Sequence, residues 1–340
     1  MILFDSIYIH QGGGKTILNI LISNILKNNL DDYFFIIDVR YSDDVLKKIP
    51  KEKFSILSSS ELSRRSFYRK NHKKFNTFFC LSNVPPPIFI NNKKVIIYFH
   101  NELLLNSNPF HLKNLIPWIK KQYISSLKLS NYKWVVQTNL MKDKLARHLK
   151  ISKSLIKIFP IFPKLKKSNN SNSSTQKFIY VASGENHKNH QRLITAMHIA
   201  CNRLDKSLHL YLTLTDNKFD SLVKGNHRNS SKLMIKNLGV LQQDILFEKY
   251  SELGYLIYPS LYESFGLPLI EAAQLDLVII ASDLPYVNEI ISNYYSFNPL
   301  DINDISLIIE KVVNLNDPNT SLLKIKSEEI ALINYINDLS

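Results

Sequence analysis

Along the first 140 residues, short apolar runs alternate with longer stretches in which apolar positions recur every three or four residues. "MILFDSIYI" (1–9), "FFIID" (34–38), "FNTFFCLS" (75–82), "KVIIYFH" (94–100) and "KWVVQT" (133–138) have the length and the β-branched or aromatic content of buried strands. "KTILNILISNIL" (15–26) has the spacing of a helix laid on a sheet. Strands separated by helices imply parallel pairing through crossovers, hence an α/β fold.

The pattern then breaks at "LKKSNNSNSSTQK" (165–177), which is polar and without period, and reads as a linker. It restarts with "FIYVAS" (178–183), a helical "KNHQRLITAMHIACNRL" (188–204), "LHLYLTL" (208–214), "KLMIKNLG" (232–239), "YLIYPS" (255–260) and "LVIIAS" (277–282). Two α/β domains follow: residues 1–165, a linker at 166–177, and residues 178–318. The tail, 319–340, has apolar residues at Leu322, Ile325, Ile330, Ile333 and Ile336 and predicts a closing helix. A second helix is predicted within 111–129, with Leu112, Leu115, Ile116, Ile119, Tyr123 and Leu127 on one face.

Composition narrows the class. A chain of 340 residues with 45% hydrophobic and 11% aromatic content is folded, and its length suits two domains of ordinary size. No apolar run is long enough to span a membrane, and no leader pattern opens the chain. The two cysteines, Cys80 and Cys201, lack metal-ligand spacing and suit a reducing cytosol. Charge is uneven: residues 1–165 carry 27 Lys and Arg against 10 Asp and Glu, whereas residues 166–340 carry 16 against 19. The basic front half predicts an anionic partner such as a phospholipid headgroup, an anionic lipid-linked acceptor or nucleic acid. "RRSFYRKNHKK" (64–74), with two aromatics among its cations, is the candidate membrane-facing loop.

"HQGGGKTILN" (10–19) suggests a P-loop and fails the test. G-x-x-x-x-G-K-[ST] requires a glycine where Ile9 stands. A strand, a glycine-rich turn and a helix remain, which still present free amides to an anion.

The stretch "YPSLYESFGLPLIEAAQLDLVIIASDLPYVNEI" (258–290) carries the most chemistry. A strand ends at Ser260, a loop follows, and a helix opens with Pro268 in its first turn. Glu263 in the loop and Glu271 on the helix can then face one pocket, with the amides near Gly266 and Leu267 open to a phosphate or sugar oxygen. This spacing resembles the E-x7-E motif of glycosyltransferase family 4, retaining enzymes of the GT-B fold. The resemblance implies two Rossmann-like domains facing across a deep cleft, with the C-terminal helix packing back across it. It assigns the donor sugar hydroxyls to Glu263 and the nucleotide ribose to Glu271, with Ser264, Phe265, Gly266 and Leu267 lining the same loop.

A second match, "YVASGENHKNHQRLITA" (180–196), places Lys188 where the family holds a diphosphate, puts Ser183 at the family's arginine position and Asn189 where many members have glycine. In the first domain, Gly13 and Gly14 match the family's glycine-rich donor loop, and His100 in "YFHNE" matches a histidine near the reaction centre. Thr138 in "VVQTNL" is read as a helix cap.

The activity so implied is metal-independent, retaining transfer of a hexosyl-type sugar from a nucleotide diphosphate sugar to a hydroxyl of a glycan or lipid-linked oligosaccharide, as in O-antigen or capsule synthesis. His100, Lys188 and Glu263 are the catalytic candidates. No cofactor and no metal are expected, the nucleotide sugar being a substrate. The expected place is the cytoplasm, peripheral on the inner face of an anionic membrane. Two alternatives stand beside it: a nucleotide-sugar epimerase of the same fold, and a basic nucleic-acid binder, for which no recognisable module is present and which leaves the Glu263/Glu271 spacing unexplained.

Overall fold

The computed structural model describes residues 1–28, 30–105, 115–166, 176–224 and 232–338. The chain separates into two units, Met1–Pro163 with Lys326–Ser340, and Lys164–Ile325. Most of the expected linker (167–175) and the start of the expected 111–129 helix (111–114) lie outside the described residues.

The first unit contains β1 (Ile2–Ser6), α1 (Gly12–Lys27), β2 (Tyr33–Asp38), β3 (Phe54–Leu57), α2 (Glu61–Asn71), β4 (Thr77–Cys80), β5 (Lys94–Tyr98), α3 (Leu115–Leu127), β6 (Lys133–Val136), α4 (Asn139–Leu149) and β7 (Ile156–Ile158). Its seven strands run in the order β3-β2-β1-β4-β5-β6-β7, every neighbouring pair parallel.

The second unit holds β8 (Lys177–Tyr180), α5 (His190–Leu204), β9 (Leu208–Leu212), α6 (Asp216–Lys224), β10 (Leu233–Asn237), α7 (Gln243–Leu253), β11 (Tyr255–Tyr258), α8 (Leu267–Gln274), β12 (Val278–Ser282), α9 (Pro285–Ile290), β13 (Ile291–Ser292), β14 (Tyr295–Phe297), α10 (Ile302–Val313) and β15 (Leu322–Leu323). Its main sheet is β10-β9-β8-β11-β12-β14, again all parallel, and β13 pairs antiparallel with β15. The last helix, α11 (Glu329–Asp338), belongs to the first unit.

Both main sheets reverse strand order beside their first strand, between β1 and β4 and between β8 and β11. In such a doubly wound sheet the loops leaving the two strands part company, opening a crevice at their carboxyl ends. The central strands β1, β4, β11 and β12 are buried along their whole length, so they do not alternate between apolar and polar positions.

Several elements differ from the periodicity. β3, β7 and β13 to β15 are too short or too polar to stand out. Leu322 lies in β15, not on the tail helix, whose buried residues Leu332, Ile333 and Ile336 join the core beneath α1. On α3, Ile119 is 51% exposed while Ile124 is buried, so the packed stripe is rotated from the expected one. The basic stretch 64–74 is mostly the helix α2, capped by Ser60, and not a loop.

One side of α2 is sealed into the core. Arg64 and Asp5 are both fully buried; the guanidinium donates to Asp5 Oδ2 (2.8 Å) and to the carbonyls of Val84 (3.2 Å) and Pro85 (2.9 Å). Tyr68 donates to the same carboxylate oxygen at 2.8 Å. Removing one member of such a pair strands a buried charge. Arg64→Leu is expected to cost about 3–5 kcal/mol of unfolding free energy. The Asp5→Asn/Arg64→Leu double variant should recover part of that loss, and urea unfolding of the three proteins checks both statements.

Candidate functional site

In the second unit the strand-order reversal lies between β8 and β11, and the loops leaving those strands carry the predicted groups. Leu261 N–H donates to the His187 carbonyl (2.8 Å), tying the two loops together. Across this junction Lys188 Nζ meets Glu263 Oε1 at 2.6 Å. Tyr258 Oη donates to the same oxygen at 2.9 Å.

Tyrosines hold both loops from below. Tyr180 Oη donates to the Lys188 carbonyl (2.7 Å) and lies 2.9 Å from Ser260 Oγ, and Tyr286 Oη donates to the Ser260 carbonyl (2.8 Å). Burial first, then the Glu263 charge, holds the Tyr180 and Tyr258 phenols well above their usual range. They therefore remain donors, which keeps Glu263 and the Lys188 main chain in place.

The helix α8 starts from Gly266, which adopts a left-handed conformation (φ 74°). A Cβ there would be strained and would lie 3.2 Å from Leu269 Cδ1, so glycine is what lets the loop turn into the helix. Pro268 occupies the first turn. Glu271, one turn further, is 6% exposed and accepts from Tyr250 Oη at 3.1 Å. Burial pushes its carboxyl up to about 7, the Tyr250 hydrogen bond acting against that. Ser264 is half-buried, Phe265 is buried, and Leu267 is the first residue of α8.

The other predicted residues of this unit have more structural surroundings. Asn189 takes a left-handed φ of 62° ahead of α5. Its amide is spent on the Pro259 (3.2 Å) and Pro299 (2.7 Å) carbonyls, while its oxygen accepts from Arg192 (3.0 Å). Asparagine thus supplies both a left-handed backbone turn, which glycine also takes readily, and a staple. Ser183 is exposed and its hydroxyl donates to the Glu185 carboxylate, so the position brings no cation. The His187 ring stacks on Tyr262 with centroids 4.6 Å apart. A cavity of about 600 Å3, lined in part by Leu261, opens at the carboxyl ends of β12 and β14, but Asp283 and Asp304 in its wall disfavour a phosphate.

In the first unit, Gly12, Gly13 and Gly14 form the first turn of α1 and not a loop ahead of it. A Cβ on Gly14 would lie 3.1 Å from Ile9 Cδ1 and 3.3 Å from His100 Nε2, so the glycine gives the imidazole its space. His100 N–H donates to Asn83 Oδ1 (2.6 Å), and Asn83 Nδ2 lies 3.5 Å from His100 Nε2. Burial lowers the imidazole to about 4, the Tyr98 backbone acting in the opposite sense, so it is neutral near pH 7. Lys15 turns aside to the Ser42 carbonyl (2.6 Å) and Asp43 (3.2 Å). It does not serve the glycine turn. Thr138 Oγ1 accepts from Met141 N–H (3.2 Å) as the cap of α4.

The structure therefore brings Lys188 together with Glu263 in the second unit, and Gly14 with His100 in the first. Sequence reasoning missed Tyr180, Tyr250, Tyr258 and Asn83. A signal for Tyr180 and Tyr258 exists: tyrosines in strands buried on both faces need a partner for each hydroxyl, and these two lie near Lys188 and Glu263 in the chain. Among the described residues no group of three or more His, Cys, Asp or Glu is placed to hold a metal, and both cysteines are buried and free.

A family model described as glycosyl transferases group 1 matches residues 161–326. The chain is 34% identical over 76 residues to the serotype-specific mannosyltransferase WbdA of Escherichia coli, covering 22% of this chain and 9% of that protein's length. The chain thus spans about a tenth of that relative. It is 24% identical over 247 residues to the O-antigen chain mannosyltransferase RfbU of Salmonella typhimurium, covering 66% of this chain and 67% of RfbU. Anabaena HepE, solved in complex with UDP and glucose, superposes with a TM-score of 0.67 at 13% identity over 99% of this chain and 96% of HepE, a likeness of fold. With two doubly wound parallel sheets the chain has the GT-B fold, and its residues 161–326 are similar to the glycosyl transferases group 1 family.

Proposed function

We propose that this chain is a retaining, metal-independent glycosyltransferase that moves a hexosyl residue from a nucleotide diphosphate sugar to a hydroxyl of a growing surface glycan or its lipid-linked precursor. The observation that carries the reading is the Lys188–Glu263 contact of 2.6 Å at the strand-order reversal of the second unit, beside the start of α8. The family match over 161–326 supports the reaction class. The names of RfbU and WbdA support a mannosyl donor and an O-antigen-type product, which makes GDP-mannose the first donor to test.

Breaking the glycosidic bond leaves negative charge on the β-phosphate. A cation and helix-start amides fixed in advance meet that charge without reorganising. In this reading Lys188 and the amides of Gly266 and Leu267 at the start of α8 hold the diphosphate, while Glu263 keeps the lysine aimed and accepts from a sugar hydroxyl. Glu271 accepts from the ribose. A neutral His100 can exchange a hydrogen bond with a sugar without adding charge.

The first unit is proposed to meet the anionic surface that carries the acceptor. The outward face of α2 supports this, with Leu62, 81% exposed, followed by the exposed Arg65 and Arg69 at helical spacing. Vesicle flotation should show the protein rising with anionic phospholipid vesicles at low salt and staying behind with neutral ones. Arg65→Glu/Arg69→Glu should abolish the difference.

Thermal stabilisation by a panel of UDP-, GDP- and TDP-sugars tests the donor class; one member is expected to raise Tm, and no response to any would count against the whole reading. With that donor, Lys188→Ala should lower kcat by about 10²- to 10³-fold.

Acid dependence offers a further check. The Glu271 carboxyl, raised from 4.5 to about 7, favours its protonated form in the fold. Its contribution to stability is present below about 4.5 and is lost as pH rises to about 7. Ribose recognition needs the ionised form, so donor binding should tighten as pH rises from about 6 to about 8. Calorimetry of Glu271→Gln should show weaker binding with that slope removed.

A further inference from the structure

One buried polar group near His100 has no partner. Gln137 follows β6 and is 3% exposed, and its Nε2 makes no hydrogen bond among the described residues. A buried amide donor left unmade costs about 1–3 kcal/mol, and such groups are few in native folds.

Register places this amide. β4 pairs with β5 through Cys80 and Ile97, and β5 pairs with β6 through Tyr98 and Val135. Continuing both ladders past the strand ends sets Asn83, His100 and Gln137 side by side on three adjacent strands. Alternation puts Gln137 on the face of Val135, and His100 on the face of Tyr98, whose ring centroid is 6.0 Å away. Val135, Tyr98, Leu81 and Ile9 share one core cluster on the side of the sheet covered by α1. The row therefore ends beneath the first turn of α1, where Gly12, Gly13 and Gly14 present no side chain. Asn83 spends its oxygen on the His100 N–H and its own amide lies 3.5 Å from the imidazole, whereas the Gln137 amide, like His100 Nδ1 and Ser82 Oγ, makes no hydrogen bond among the described residues.

We infer that the Gln137 side-chain amide is a substrate-binding group that donates a hydrogen bond to a ring hydroxyl of a saccharide, next to the imidazole of His100. A neutral carboxamide beside a neutral imidazole suits an uncharged, hydroxyl-bearing ligand; a phosphate would call for a cation. The inference rests on the glycosyltransferase reading, and the hydroxyl can belong to the donor's sugar or to the acceptor.

Gln137→Met keeps the length and volume of the side chain and removes the donor. If the amide is reserved for a ligand, the variant keeps or gains thermal stability, because an unmet buried donor is gone. Its kcat/KM falls at least tenfold while affinity for the nucleoside diphosphate alone is unchanged. GDP against GDP-mannose, or the corresponding pair from the panel, separates the sources. A donor contact lowers affinity for the nucleotide sugar and slows donor hydrolysis without acceptor. An acceptor contact leaves both unchanged and raises only the acceptor KM. A drop in Tm for Gln137→Met, or turnover within twofold of wild type, overturns the inference. Failure of the wild-type protein to bind any nucleotide sugar strikes the glycosyltransferase reading instead, so the two failures are distinguishable.

Discussion

Strand-order reversal in a fully parallel sheet is the constraint on which this molecule depends. Every strand points the same way, so every loop that follows a strand emerges at one end. At the reversal two such loops leave in opposite directions and the space between them cannot close. In the second unit those loops follow β8 and β11, and they contribute Lys188 and Glu263. Residues 75 positions apart become an ion pair because the topology gives them the same address.

The pair is set by hydroxyls as well as by charge. Tyr258 shares Glu263 Oε1 with Lys188, and Tyr180 fixes the lysine's own carbonyl. Buried phenols are rigid donors with little freedom to lose, so the loops need few long side chains to stay in position. Glu271 has a different environment. It is buried on α8, where it accepts from Tyr250, and burial raises its affinity for a proton. Two carboxylates eight residues apart thus have different surroundings: Glu263 meets a lysine, and Glu271 is enclosed by the core.

The first unit repeats the same topology with a different cast. The fully buried pair Asp5 and Arg64 ties α2 to β1 and to the loop after β4, and Asn83 in that loop holds His100. The basic stretch expected to be a membrane-facing loop is thus mostly a helix that spends part of its charge inside. Arg64 and Tyr68 stand four residues apart on its inner face, while Arg65 and Arg69 face water. Composition alone does not separate those two faces, because the helix is polar nearly all round.

By itself the sequence determined the fold class and the loop-to-helix stretch that carries Glu263 and Glu271. Buried parallel strands need unbroken apolar runs, and Gly266, Pro268 and Thr138 act on their own backbone, so these signals are local and survive without tertiary context. Only the folded chain decided that the three glycines belong inside α1, that Ile124 and not Ile119 packs on α3, and that Leu322 joins a small antiparallel pair. It also decided that Asn189 is a staple and that Tyr180, Tyr258 and Asn83 support the predicted groups. Those outcomes depend on hydrogen bonds between residues far apart in the chain. Such bonds leave no periodicity, since the partner of each buried polar atom is chosen by strand order and register.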